Sequence, residues 1–266
     1  MTETKFQKPK EFIKDLVEFD KTQQSLHMPA TAKNIDRLKE LQIDNLWLIG
    51  AKETDLQKIL SLTQPKYLNL YQVLAADLSV LKTLTTTSTL VLHWNTKSTS
   101  LWDISNNTEL RNLEIVDFSK LYDISNISSA RQITSLKLEG GIDKKLNVQT
   151  LKPLSVLTNL KYLRLANLKV SDGSLKPLAD LKNLEELWLP NQFETKEYAW
   201  LATRLPNTKC DMFNPINNVH ITDAKKVLVW DTMVTGRKKP FLLSANDKLK
   251  VDKYISDFEK LKKELA

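Results

Sequence analysis

Residues 160–189 read LKYLRLANLKVSDGSLKPLADLKNLEELWL and contain one leucine pattern twice. Leu160, Leu163 and Leu165 are followed 24 residues later by leucines with the same spacing. A triplet of this kind, repeated about every 20 to 29 residues, marks a chain of stacked units that bury their apolar sides only against each other. The stretch therefore predicts a solenoid of repeats.

The same triplet can be followed along much of the chain. Its i+3 and i+5 positions are aliphatic in seven units, whereas the last unit has Thr208 and Cys210 there. Alternation around each pair predicts a short strand that points these side chains into the core. Apolar residues about three apart between the strands predict 3₁₀ or short helical turns, and residues 140–145 predict a loop in the longest unit. The units begin at Ile43, Pro65, Thr87, Leu110, Ile133, Leu160, Leu184 and Leu205.

Two segments of closely similar sequence, residues 151–160 (LKPLSVLTNL) and 175–184 (LKPLADLKNL), suggest a family. Together with the DISN motifs at 103–106 and 123–126, they resemble bacterial leucine-rich repeats of the internalin type. The resemblance covers residues 43–213. It implies an α/β fold, a right-handed leucine-rich repeat solenoid (horseshoe) with a concave parallel β-sheet, and recognition of a protein partner.

In this family an asparagine often stands at position i+8, where its side chain bonds the backbone of the loop. Only Asn95 occupies that position here. Because buried backbone groups must be paired, the loops of the other units need different partners.

The chain on either side of the repeats is predicted to cap the solenoid, because an uncovered end unit would expose its core. Residues 1–42 predict an N-terminal helical cap of two helical pieces, with a break at residues 27–30. Residues 214–266 predict a C-terminal cap. This cap would contain a β-hairpin with its turn at residues 235–240 and a helix that begins after Asp247.

The composition excludes several classes of protein. The single cysteine, Cys210, excludes an internal disulfide and a cysteine-based metal cluster. No stretch approaches the ~18 apolar residues of a membrane span, and residues 1–20 lack the apolar centre of a secretion signal. The expected location is therefore the cytoplasm, and a monomer is expected.

The net charge of +7 is concentrated at the C-terminal end. Residues 224–266 carry eleven basic and six acidic side chains, a surplus of +5. This surplus predicts a basic patch on the C-terminal cap, with Lys238 and Lys239 in the hairpin turn. Binding of nucleic acid or an anionic surface there is the alternative function. Nucleic acid is not the expected partner, because the repeats themselves are nearly neutral.

Nothing in the sequence predicts catalysis, a metal site or a cofactor. The three histidines are scattered without metal-ligand spacing, and His27 and His220 are expected to be ordinary residues of the caps. Cys210 occupies an inward strand position, which predicts a buried thiol. Residues 235–239 lack the G-x-x-x-x-G-K-[ST] spacing of a phosphate-binding loop.

Outward positions i+2, i+4 and i+6 of the strands predict the binding surface. In a parallel stack, equivalent residues of successive units lie about 4.8 Å apart and form rows. Large aromatic side chains with a few charges in such rows are typical of a protein-binding surface, and cross-strand pairs that only stabilise the sheet are the alternative interpretation. The predicted partner-binding residues are Trp47, Tyr67, Tyr71, His93, Glu114, Lys137, Tyr162, Arg164 and Trp188. The other tryptophans are expected in the core or against the caps, and they are Trp94, Trp102, Trp200 and Trp230.

These patterns together predict a non-enzymatic protein–protein interaction module that binds a protein partner through its concave face. By analogy with the family, a regulator or an immunity- or effector-type protein is the finer interpretation.

Overall fold

The computed structural model describes residues 6–266, and its main element is a parallel sheet of eight strands. Residues 1–5 of the predicted N-terminal cap lie outside the described residues. The strands of this sheet follow the order β1-β2-β3-β4-β5-β6-β8-β10. The strands are β1 (Ser25–Pro29), β2 (Asn45–Ile49), β3 (Tyr67–Tyr71), β4 (Thr89–Asn95), β5 (Asn112–Phe118), β6 (Ser135–Glu139), β7 (Leu146–Val148), β8 (Tyr162–Ala166), β9 (Leu168–Val170), β10 (Glu186–Trp188), β11 (Ile216–Thr222), β12 (Leu228–Val234) and β13 (Phe241–Leu242).

The leucines of the repeat triplet form the core on one side of this sheet. Leu46 and Leu48 of β2 are fully buried and their equivalents along the stack are buried, while the residues between them point to the other side. The pairing follows the predicted rows. Trp47 lies opposite Asn69, and Asn69 lies opposite Val91. The same alignment continues through β10, where Trp188 lies opposite Arg164. The prediction of the core, and of the rows from β2 through β10, is confirmed.

The predicted N-terminal helical cap is wrong in its first part. Residues 6–24 contain no helix, and the predicted break at residues 27–30 falls largely within strand β1, which pairs in parallel with β2. The chain forms a strand here because its core-facing residues alternate with a period of two. Leu26 and Met28 point into the core on either side of His27. Of residues 6–42, only Ile35–Glu40 are helical, and they form a 3₁₀ helix. The sheet therefore begins one strand earlier than the triplet indicates.

The opposite end of the sheet is shorter than predicted. The eighth predicted strand, around Thr208 and Cys210, is a single parallel bridge between Glu186 and Lys209. Thr208 is nevertheless buried, and its hydroxyl donates to the Leu184 carbonyl one unit back. A 3₁₀ helix at Asp211–Phe213 then turns the chain away from the sheet.

Short helical segments run on the other side of the core, as predicted. They are the α-helices α1 (Glu53–Leu62) and α2 (Thr195–Arg204) and the 3₁₀ helices Ser79–Thr83, Ser125–Ser129, Lys152–Leu154 and Lys176–Asp180. The predicted loop at residues 140–145 is present between β6 and β7, and β7 pairs with β9 in a separate two-stranded sheet. A Cβ atom on Gly140 would lie 2.2 Å from the Asn167 carbonyl oxygen, so glycine is required by a close backbone approach.

Polar side chains connect successive units at two different positions of the repeat. Asn95 itself is buried, donates to the Ala75 carbonyl at 2.8 Å and accepts from the amides of Lys97 and Ser98. Elsewhere the connecting residue stands directly before the unit's first position and donates to a carbonyl one unit back. These residues are Thr86, Gln132, Asn159 and Asn183.

The C-terminal region contains the predicted hairpin and helix. Strands β12 and β13 pair antiparallel around the predicted turn, and β11, which was not predicted, pairs with β12 on its other side. Helix α3 (Lys248–Leu265) follows and buries Phe258 in the main core. Asp247 precedes this helix but makes no side-chain cap bond to it. The capping role of residues 214–266 stays a prediction. Within residues 6–266, none of the helices combines the length and apolar character needed to cross a membrane.

Candidate functional site

The side of the sheet that faces away from the core is called here the outer sheet face, and part of it is covered. Residues 6–14, called the N-terminal segment, lie over its first strands. The Phe6 ring stacks on Tyr67 with centroids 4.5 Å apart and planes 30° apart. As a result Trp47 is only 5% exposed and Tyr67 only 3%. The prediction that these two residues are exposed is wrong, because the sequence places them in an outward row but does not reveal their cover.

The N-terminal segment is anchored beside strand β1. The Ile13 amide donates to the His27 carbonyl at 2.9 Å, and the Phe12 ring lies 4.6 Å from the His27 ring. His27 itself extends the i+4 row by one strand, because it lies opposite Trp47. The expectation that His27 is an ordinary cap residue is therefore wrong. Alternation of Leu26 and Met28 around it is the signal that would have placed it on the outer sheet face.

The buried imidazole of His27 has no hydrogen-bond partner among residues 6–266. It is only 7% exposed, and neither ring nitrogen is paired with any atom of residues 6–266. Burial lowers its pKa below the ordinary 6.5, and the positive charge of Lys8 lowers the pKa further. The backbone of Pro9 and Glu11 lies near the ring and acts in the opposite direction, although neither forms a hydrogen bond of good geometry.

Beyond the covered part, Tyr71 and His93 form an aromatic cluster with Trp94. Tyr71 is 41% exposed and meets His93 edge-on, with ring centroids 5.1 Å apart. Trp94 lies 5.9 Å from Tyr71 and is also exposed. The expectation that Trp94 packs in the core is wrong. Its backbone has a left-handed φ of 62°, which breaks the alternation of β4 at that residue.

Charged residues of alternating sign lie at the centre of the outer sheet face. The Lys137 ammonium is 3.7 Å from Glu114 and 3.3 Å from Glu139, and Arg164 is also 3.3 Å from Glu139. All four side chains are partly buried, so water screens these pairs less than it would screen pairs at a fully exposed site. The four charges hold one another in fixed positions across β5, β6 and β8.

Arg164, one of these charged residues, and Trp188 lie side by side at the i+4 positions of β8 and β10. The Arg164 guanidinium lies over the Trp188 ring, 5.1 Å from its centroid, and Trp188 is still 44% exposed. Its indole nitrogen donates to Glu186 at 2.7 Å. Beside them the Tyr162 hydroxyl donates to Glu185 at 3.0 Å, and the carboxylate raises the pKa of Tyr162. The residues that lie open together are called the open site, and they are Glu114, Lys137, Glu139, Tyr162, Arg164 and Trp188.

Comparison with known proteins finds similarity to solved structures of bacterial repeat proteins. Internalin C2 from Listeria monocytogenes is 21% identical over 60% of this chain and 65% of that chain, with a TM-score of 0.42. The functional domain of InlJ from the same organism is 14% identical over 77% and 54%, with a TM-score of 0.39. A leucine-rich repeat protein of Leptospira interrogans is 17% identical over 72% of both chains, with a TM-score of 0.23.

The parallel stack of short units, each with its buried leucine triplet, is the architecture of a leucine-rich repeat solenoid. The chain has a leucine-rich repeat fold. At these identities the likeness concerns the fold, and the chain spans less than two thirds of the internalin C2 and InlJ chains. No protein-family model and no curated protein sequence matches it.

The remaining tryptophans of this leucine-rich repeat protein divide between interior and surface. Trp102 is buried and donates to Asn107, and Trp200 is partly buried under Arg204, as predicted for core and cap packing. Trp230 is instead exposed beside Phe241, so that expectation is wrong for it.

In the described part of the chain, the side chains that could take part in catalysis or metal binding do not form a common site. Cys210 is buried as predicted, and burial raises the pKa of its thiol to about 12. Within residues 6–266, no three or more His, Cys, Asp or Glu side chains form a group that could hold a metal ion.

Proposed function

We propose that this leucine-rich repeat protein binds another protein through the open site on its outer sheet face. The observation that carries the proposal is the Arg164–Trp188 pair, a half-exposed tryptophan held under a guanidinium that Glu139 fixes from the other side. Tryptophan, tyrosine and arginine supply much of the binding energy of protein interfaces, and a side chain fixed before binding loses little entropy in the complex.

The nine residues predicted from the sequence fall into three groups, and Tyr71 and His93 belong to the aromatic cluster with Trp94. Glu114, Lys137, Tyr162, Arg164 and Trp188 belong to the open site, whereas Trp47 and Tyr67 are buried under Phe6. We therefore place the partner on strands β5, β6, β8 and β10. The proposed interface is therefore smaller than the whole outer sheet face.

The alternative, binding of a polyanion by the C-terminal region, is less well supported. Four lysines of α3 lie within 4 Å of an acidic side chain three or four residues away, which reduces the free positive charge of the helix. A regulatory or immunity-type role, a cytoplasmic location and a monomeric state stay predictions.

Affinity capture from extracts of the source cell tests the proposal. The wild type, an Arg164→Ala/Trp188→Ala variant and a Trp230→Ala/Phe241→Ala variant serve as baits. The third bait is the matched control, because it removes an exposed aromatic pair that is not part of the open site. We expect at least one protein that the wild type and the control retain and the open-site variant loses. Identical sets from all three baits would overturn the proposal.

A further inference from the structure

A cavity of about 300 Å³ lies on the outer sheet face between the N-terminal segment and strands β1 to β4. This volume is at the lower end of the range for small-molecule sites, which is about 300–1,000 Å³. The cavity does not include any residue of the open site. Its lining residues are Lys8, His27, Trp47, Leu48, Ile49, Asn69, Tyr71 and His93.

The lining combines aromatic walls with groups that donate hydrogen bonds. Tyr71, which is 41% exposed, supplies most of the open aromatic surface, and Trp47, which is 5% exposed, supplies a small part of it. Lys8, His27 and His93 supply N–H groups. The lining contains no aspartate or glutamate. With both imidazoles neutral, its formal charge is +1, which comes from Lys8 alone. The cavity therefore favours a ligand with one negative charge and a flat apolar body.

His27 gives the cavity a polar group that the fold does not use. Its two ring nitrogens are buried without a partner in residues 6–266. Buried polar groups in native proteins are usually hydrogen-bonded, so each unpaired one requires an explanation. A ligand oxygen would accept from the imidazole N–H and supply the missing partner.

We propose that this cavity binds a small aromatic carboxylate, with its ring against Tyr71 and its carboxylate between Lys8 and His27. The proposal goes beyond the binding of a protein partner, and the two concern different residues. A dianion such as phosphate fits less well, because a single lysine would leave one of its charges unpaired in a partly buried site.

Titration of the full-length protein with benzoate, followed by the imidazole NMR signals, tests the proposal. We expect saturable shifts of the His27 and His93 signals, with exposed His220 as the unaffected internal reference. Benzamide has nearly the same shape without the charge. We expect it to bind at least about tenfold more weakly, because a charge-assisted hydrogen bond contributes at least that factor.

Two substitutions connect the binding to named residues. Lys8→Met removes the positive charge, and His27→Phe keeps a ring of similar shape while it removes both nitrogens. His27→Phe is compatible with folding, because the nitrogens that it removes have no partner to leave unpaired. We expect each to weaken benzoate binding at least about tenfold. The matched controls are Lys58→Met and His220→Phe, both at exposed positions outside the cavity, and we expect them to bind as the wild type does.

Three results would overturn the proposal. They are the absence of saturable shifts at up to about 10 mM benzoate, equal affinity for benzamide, and unchanged benzoate binding by both Lys8→Met and His27→Phe. Capture of a protein partner depends on Arg164 and Trp188, which do not line the cavity, so either proposal can fail without the other.

Discussion

The Phe6 ring lies stacked on the Tyr67 ring at 4.5 Å, and this contact closes the N-terminal part of the outer sheet face. Trp47, whose ring is 4.9 Å from Tyr67, is buried by the same cover, and Val91 completes the group. These side chains form a small apolar cluster separate from the main core. The N-terminal segment thus occupies a surface that the repeats alone would leave exposed.

Replacement of Phe6 by alanine is expected to open this cluster without unfolding the repeats. The aromatic contact stabilises the closed segment by about 0.5–1.5 kcal/mol beyond its area burial, while the main core lies on the other side of the sheet. The measurement is the ¹⁹F NMR signal of fluorotryptophan at Trp47, assigned with Trp47→Phe. We expect a soluble paramagnetic agent to broaden this signal in the variant. The urea midpoint of the repeats is expected to change little.

The matched control for this variant is Phe241→Ala, which removes an exposed ring from the C-terminal hairpin. We expect it to leave the Trp47 signal unchanged. If Phe6→Ala also leaves that signal unchanged, Phe6 is not what covers Trp47.

The closed N-terminal segment is expected to lose stability in mild acid. The pKa of His27 lies below 6.5 when the segment is closed, because burial and the Lys8 charge both disfavour the imidazolium. Well above pH 6.5 the ring is neutral in both states, so the pKa difference has no effect. As the pH falls through 6.5, His27 takes up a proton more readily when the N-terminal segment is lifted off the sheet than when it covers the sheet. Covering of the sheet therefore becomes less favourable. The same Trp47 signal, recorded between about pH 8 and pH 5, measures the change.

His27→Phe is the control for the pH effect, since it preserves the ring contact with Phe12 and cannot titrate. Its Trp47 signal should be nearly independent of pH over the same range. An identical pH response in the variant and the wild type would show that another group is responsible.

Asn95→Ala is expected to destabilise the repeats by about 3 kcal/mol. The buried side chain satisfies one carbonyl, at Ala75, and two amides, at Lys97 and Ser98, and each unpaired buried group costs about 1–3 kcal/mol. Urea unfolding measures the loss. Asn147→Ala is the control, because Asn147 is exposed and makes a single bond of 3.4 Å. We expect the control to stay within about 0.5 kcal/mol of the wild type.

The repeat body could be predicted from the sequence because its signal is local. Leucine triplets fix which side of each strand faces the core, and the two-residue period then fixes the rows through residues such as Trp47 and Arg164. Strand β1 was missed because Leu26 and Met28 are only two core positions, separated by a histidine. The eighth predicted strand was overestimated because Thr208 and Cys210 satisfy the inward pattern without pairing along a full strand.

The candidate site was predictable in position but not in exposure. A row assignment shows that Tyr67 and Trp188 both face away from the core, yet one is buried and the other is 44% exposed. The difference comes from Phe6, which lies 61 residues from Tyr67 in a segment without regular periodicity. Such a long-range contact depends on the assembled fold and leaves no periodic signal in the sequence.

Native Cys210 is expected to resist alkylation. Burial raises its thiol pKa to about 12, so almost no thiolate is present at pH 8 and the sulfur is also shielded from the reagent. Iodoacetamide labelling followed by mass spectrometry should be slow for the folded protein and rapid in guanidinium. Comparable rates in the two conditions would contradict the buried position.

Arg164 and Trp188 are expected to stabilise each other by about 0.5–1 kcal/mol, the range for a cation–π contact at an exposed site. A double-mutant cycle with Arg164→Met and Trp188→Leu, measured by urea unfolding, gives this coupling energy. Glu139→Gln provides a third arm, because its carboxylate holds Arg164 at 3.3 Å from the other side. If that carboxylate positions the guanidinium, the coupling falls in the Glu139→Gln background. A coupling of zero would mean that Trp188 is an isolated exposed ring, and the open site would then lack the fixed geometry on which its proposed role depends.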